Sequence, residues 1–208
     1  MKPEGNGPFP AVILLHGLDG MDKYYDAWAD RLANRGYLTL QMDSFGVQDK
    51  PNVLGPPSKR AQDVCDAKSY LVGPSYVDPN RIGVIGRSLR GTSTFTAFWV
   101  GNSALKRENP FRAAVVFYPY CYKTLFDFDF PVLIQIGERN DWTLLSLCRK
   151  RIPPRQTKHH VTLKGYPGTY HCFDVEGVDT IIWATGYSAT RPPPRMRSSM
   201  SKTFLRST

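Results

Sequence analysis

Short, wholly apolar runs alternate along the chain with segments whose apolar residues recur every three or four positions, the pattern of buried strands separated by amphipathic helices. Ala11 to Leu15 (AVILL) is the first such run, and it ends in His16-Gly17-Leu18-Asp19-Gly20. Tyr25 to Arg35 places Trp28, Leu32 and their neighbours at helical spacing, with Gly36 as a stop. Tyr37 to Met42 predicts the next strand, Gln48 to Pro57 an irregular excursion near the same rim, and Ser58 to Val72 a helix with Ala61, Val64, Cys65, Ala67, Tyr70 and Leu71 on one side. Asp78-Pro79-Asn80 reads as a turn before a third strand, Ile82 to Ile85, and Thr92 to Val100 continues as helix. Ala113 to Tyr118 and Val132 to Ile136 are two further strands; Thr143 to Arg151 reads as helix and Val161 to Leu163 as a sixth, short strand. Such alternation predicts right-handed crossovers, a mainly parallel sheet flanked by helices, and a site at the C-terminal ends of the strands.

The residue that demands a chemical reading is Ser88. It sits in IGVIGRSLRG (Ile82 to Gly91), where a buried strand turns abruptly into a helix, and such a bend pushes a serine hydroxyl out above the sheet. Gly86 precedes it with the spacing of a G-x-S-x-G motif, but Arg90 stands where the second glycine is expected and Gly91 comes one residue late. Two glycines in the turn after the first strand let the backbone bend sharply and aim amide hydrogens into a common space, as an oxyanion hole requires.

A serine nucleophile needs a general base and a group to hold that base, in this topology in the chain order serine, acid, histidine. Asp141 follows the strand Val132 to Ile136, with Glu138 as its competitor, and His171 follows the last strand; Asp127 and Asp129 precede the strand. His16 lies in the glycine turn and His159 and His160 lead into a strand, so His171 alone is carried on a suitable loop. Phe45, Tyr118, Trp142 and Tyr170 are candidate pocket aromatics, against a reading as core.

Composition narrows the picture. The 208 residues suit one domain, and 41% hydrophobic with 12% aromatic residues excludes a disordered chain. Apolar runs of about five residues exclude a membrane helix, which needs about 20. The N-terminal residues lack an export-signal pattern, so a cytoplasmic protein is expected. Cys65, Cys121, Cys148 and Cys172 show no C-x-x-C spacing; buried thiols are expected, and neither a metal site nor any cofactor. Of the net charge of +9, +8 comes from Arg139 onward, where 12 Lys or Arg face 4 Asp or Glu. Without interleaved aromatics this reads as a solvated basic loop and Pro-rich tail, and nucleic acid is not expected as a partner.

The segments PFPAVILLHGLDG, YLTLQMDSFG, VDPNRIGVIGRS, FRAAVVFYP, PVLIQIGERNDWT and GYPGTYHCFD occur in the order found in the dienelactone hydrolase family of α/β-hydrolases, which the chain resembles from about Pro8 to Asp174. The resemblance implies the α/β-hydrolase fold over residues 1–185, with residues 186–208 as the tail and a remnant of a closing helix. It implies Ser88 as nucleophile, His171 as base, Asp141 as orienting acid and the backbone amides of Leu18 and Leu89 as the oxyanion hole. The expected substrate is a small-molecule ester, thioester or lactone. Members of the family proper carry a cysteine nucleophile and a glutamate where this chain has Ser88 and Gly17, and strands that precede PFPAVILLHG in the family are missing, so the sheet is expected to be shortened at the N-terminus. Two other readings stand beside it: a non-catalytic relative whose basic C-terminal region binds an anionic partner, and a small peptidase of the same superfamily.

Overall fold

The computed structural model describes residues 1–17, 20–43, 57–88, 91–92, 94–95, 111–121, 128–152 and 161–175. Six strands form one parallel sheet: β1 (Phe9–Leu15), β2 (Leu38–Met42), β3 (Val77–Arg87), β4 (Ala114–Phe117), β5 (Val132–Gly137) and β6 (Val161–Tyr166), in the spatial order β2-β1-β3-β4-β5-β6. Ala11 to Leu15 and all four residues of β4 are buried, which is why these strands read as unbroken apolar runs rather than alternating ones. Edge strands β2 and β6 are only half-buried along much of their length.

The helices α1 (Lys23–Ala33), α2 (Pro57–Val72) and α3 (Leu145–Arg151) lie between the strands in sequence. Asp22 caps α1 by accepting the Tyr24 N–H at 3.0 Å, and Tyr25, Ala29 and Leu32, spaced four and three apart, are its buried residues. Burying each of the larger of these side chains contributes about 1.5–3 kcal/mol. In α2, Ala61, Val64, Cys65 and Leu71 are buried, and Lys68 runs inward to set its ammonium 4.7 Å from the Phe111 ring centre.

Two expectations are corrected here. The third strand is longer than its apolar segment, beginning at Val77: Phe9 pairs with Val77 and Ala11 with Ile82, so Asp78 to Arg81 bulge outward within the strand instead of preceding it as a turn. Cys121 and Cys148, expected as thiols, form a disulfide with Cα atoms 4.9 Å apart, because β4 and β5 are neighbours and bring the segment after β4 against α3; Cys65 and Cys172 remain thiols. The expected helix Thr92 to Val100 is described at Thr92, Thr94 and Phe95, all helical; the Gln48 to Pro57 excursion and the tail beyond residue 175 fall outside the described residues.

The chain runs outward from β1 to β2, crosses back over β1 to β3, and then proceeds in the other direction to β6. The strand order therefore reverses between β1 and β3, the point at which open α/β sheets bind ligands outside the C-terminal ends of their strands. Leu15 and Gly86 are register partners, which puts the His16-Gly17 turn beside the bend at Ser88.

Candidate active site

Ser88 leaves β3 with φ of 47°, in the left-handed region that a side chain disfavours. Holding a serine there costs about 1–3 kcal/mol, and the residues that follow explain how it is held. Gly91 packs directly on β4: a Cβ at this position would lie 2.5 Å from Cγ1 of Val116. The close-approach glycine of this bend is thus Gly91, three residues after the serine; Arg90 lies outside the described residues.

His171 is delivered by the loop after β6, which crosses the end of β5. A Cβ on Gly137 would come 2.3 Å from the Thr169 carbonyl oxygen, so only glycine admits the crossing, and the N–H groups of Glu138 and Arg139 donate to Tyr166 and Thr169 carbonyls at 3.0 and 2.9 Å. His171 Nε2 lies 3.0 Å from Ser88 Oγ. Its ring is flanked by Tyr118 and Trp142, with centroids 4.4 and 5.2 Å away. Burial, and secondarily the positive charge of Arg87, hold the imidazole pKa down to about 3, so the ring is neutral at ordinary pH.

The group facing His171 Nδ1 is Asn140, not Asp141. Asn140 is buried and sets Nδ2 at 3.1 Å and Oδ1 at 3.3 Å from Nδ1, whereas the Asp141 side chain is exposed and, among the described residues, no hydrogen bond joins it to His171. Consecutive residues of a tight turn point in different directions, and here the first of the pair faces the site. Glu138 is exposed as well. Asn140 is anchored by the N–H groups of Trp142 and Thr143, both donating to Oδ1 at 3.1 Å, and it donates from Nδ2 to Thr143 Oγ1 at 2.7 Å. The sequence signal for Asn140 is its place three residues after Gly137; preference for a carboxylate hid it.

Below the site lies a buried polar hub that the sequence did not reveal. Arg87 donates from Nε to the Tyr118 hydroxyl and from Nη1 to the Tyr25 hydroxyl at 3.0 Å; Tyr118 donates to Asp174 Oδ1 at 2.8 Å, and Tyr24 donates to Asp174 Oδ2. Burial opposes the guanidinium charge, but Tyr118, Asp174, Tyr25 and Tyr24 more than offset it and Arg87 stays protonated; burial and Asp174 in turn raise the Tyr24 and Tyr118 phenols. The hub ties α1, the end of β3, the end of β4 and the segment after His171 together.

Of the remaining expectations, Leu18 and Leu89 lie outside the described residues, as do Phe45, His159 and His160. Gly17 N–H is already engaged, donating to the Tyr25 hydroxyl at 3.0 Å. His16 is buried with Nδ1 2.7 Å from the Gly17 carbonyl oxygen and Nε2 3.6 Å from Asp43, a structural placement. Tyr118 is core, while Trp142 and Tyr170 are partly exposed at the rim. Among the described residues no group of three or more His, Cys, Asp or Glu could hold a metal, and no helix is long and apolar enough to cross a membrane.

Residues 1–126 match the family model described as Esterase FrsA-like. The chain belongs to the FrsA-like esterase family. It is 24% identical over 199 residues to a Bradyrhizobium protein described as "Probable 2-oxo-3-(5-oxofuran-2-ylidene)propanoate lactonase", covering 83% of this chain and 76% of that protein. It is 38% identical over 87 residues to Esterase FrsA of Citrobacter koseri, covering 40% of this chain and 20% of the esterase, and 30% identical over 98 residues to an uncharacterized Escherichia coli protein, covering 46% of this chain and 34% of that one. The chain thus spans about a third or less of the length of these last two relatives. A solved structure described as "Putative Dienelactone Hydrolase" from Klebsiella pneumoniae superposes with a TM-score of 0.65 at 18% identity, over 82% of this chain and 79% of that one, which establishes the α/β-hydrolase fold. Family and fold together place the chain among the FrsA-like esterases, on the α/β-hydrolase fold.

Proposed function

We propose that the chain cleaves a small-molecule ester, thioester or lactone by nucleophilic catalysis at Ser88. The observation that carries this reading is the 3.0 Å approach of His171 Nε2 to the hydroxyl of a serine held at φ 47°. Ser88 Oγ attacks the acyl carbon as its proton passes to His171 Nε2; the tetrahedral intermediate collapses, and His171 returns that proton to the departing oxygen or sulfur. Water then attacks the acyl carbon as its proton passes to His171, and the intermediate collapses with that proton going to Ser88 Oγ as the acid is released. The amides of Leu18 and Leu89 are proposed to receive the oxyanion, each such donor typically lowering the barrier by about 3 kcal/mol. The lactonase and esterase among the relatives support this substrate class.

A second reading, a fold that has lost its chemistry, is favoured by one observation: an amide, not a carboxylate, faces His171 Nδ1. A fluorophosphonate probe separates the two. Labelling located on Ser88 by peptide mass, abolished in Ser88→Ala, is the expected result; no labelling of the folded chain favours the second reading.

A further inference from the structure

The hydrogen bonds around Asn140 determine which way its amide points. Oδ1 receives two backbone donors, Trp142 N–H and Thr143 N–H, each at 3.1 Å, so the oxygen must face them. The amide nitrogen then faces Thr143 Oγ1 at 2.7 Å and His171 Nδ1 at 3.1 Å. Thr143 Oγ1 uses its own proton on the Tyr118 carbonyl at 3.1 Å, so it accepts from Asn140 and cannot exchange roles without losing that bond. One N–H of the amide is spent on the threonine, and the other points at His171 Nδ1.

We infer that Asn140 is a positioning residue that holds neutral His171 with its proton on Nε2, so that the ring meets Ser88 as a donor and not as the base that hydrolysis requires. The inference rests on Ser88 and His171 forming the proposed hydrolytic pair. To accept the serine proton, the ring must first move its own proton to Nδ1. That sets Nδ1–H against an amide N–H, or asks Oδ1, 3.3 Å away and already holding two donors, to take a third. A carboxylate removes the conflict: one oxygen keeps the two backbone donors, and the other accepts Nδ1–H and the rotated Thr143 hydroxyl. In serine proteases the opposite exchange, carboxylate to amide, lowers kcat about 10⁴-fold through the wrong tautomer. Asn140 therefore acts as a brake on this site.

The test is the imidazole proton itself, read by long-range proton–nitrogen correlation spectra of the full ¹⁵N-labelled chain at neutral pH, with His171→Gln identifying the resonances. The expected result is an unprotonated Nδ1 and a protonated Nε2 in the native chain, with the proton moved to Nδ1 in Asn140→Asp, alongside a rise of about 10²–10⁴-fold in kcat for p-nitrophenyl ester hydrolysis. A native His171 protonated at Nδ1 overturns the inference even where the fluorophosphonate labels Ser88. A native Nε2–H ring with no labelling of either protein supports the tautomer and defeats the hydrolase reading. Since the native spectrum decides the matter, the inference is testable whether or not the aspartate variant folds.

Discussion

At the residue scale, the site is defined by a serine forced into the left-handed region and a histidine kept neutral by its surroundings. Ser88→Ala removes the proposed attacking oxygen, and p-nitrophenyl ester turnover is expected to fall to background with the thermal midpoint little changed, since the hydrogen bond lost, to His171 Nε2, is only part-buried. The depressed pKa of His171 has a consequence for stability. In the unfolded chain the ring titrates near its ordinary value of about 6.5, while in the folded chain it resists protonation down to about 3. Between those values the unfolded state binds the extra proton, so stability is fully present above about pH 6.5 and is lost as pH falls through that window, by at most about 1.4 kcal/mol per pH unit. Urea unfolding of His171→Gln at pH 7, 5.5 and 4 is expected to show a shallower acid dependence than the native chain; equal slopes would contradict the assigned burial of the ring. That Ser88 and His171 would meet was legible because loop position and chain order mark them. Asn140 was not, because the one-dimensional order of Asn140 and Asp141 says nothing about which of two neighbouring side chains a tight turn aims inward.

At the element scale, two glycines let separate elements meet. Gly91 seats the helix after Ser88 on β4, and Gly91→Val would drive side-chain atoms into Val116. A loss of roughly 1–3 kcal/mol in urea unfolding is expected, typical of overpacking in a filled core. Gly137→Ala collides instead with backbone atoms of Thr169 and Tyr170, which cannot rotate away. The loop carrying His171 must shift, so this variant is expected to stay folded by far-ultraviolet circular dichroism yet lose fluorophosphonate labelling of Ser88. The Cys121–Cys148 link, with a sequence separation of 27, joins the segment after β4 to α3. Replacing both cysteines by serine is expected to cost about 3–4 kcal/mol of stability on a loop-closure estimate, measured in the absence of reductant. The strands themselves were readable from the sequence because two-sided burial demands unbroken apolar runs. The first part of β3 was not, because Asp78 to Arg81 carry turn chemistry that the sheet absorbs as a bulge.

At the scale of the whole molecule, the hub of Arg87, Tyr118, Asp174, Tyr24 and Tyr25 fixes the geometry that the separate loops would otherwise only approximate. Arg87 directly precedes Ser88 and Asp174 lies three residues after His171, so their shared contact with the Tyr118 hydroxyl holds the two segments of the proposed site in register. Arg87→Met fits the volume but strips the hub of its cation, removing the Arg87 hydrogen bonds to Tyr118 and Tyr25 and that charge from beside the half-buried Asp174. A loss of about 1.5–3 kcal/mol is expected, seen as a lower urea midpoint. A midpoint unchanged within error would show that the hub contributes nothing net to folding.

The sequence by itself determined the alternation of strands and helices, the rim at which the site would form, the serine bend and the histidine loop, because burial on both faces, helical spacing and turn residues are local properties written in residue order. Tertiary structure alone decided that Cys121 would meet Cys148, that Arg87 and Asp174 would share the Tyr118 hydroxyl, and that an amide would face His171 where a carboxylate was expected. Each of these depends on which segments the sheet brings side by side, and on the direction in which a tight turn aims each side chain, and neither is a local property of the chain.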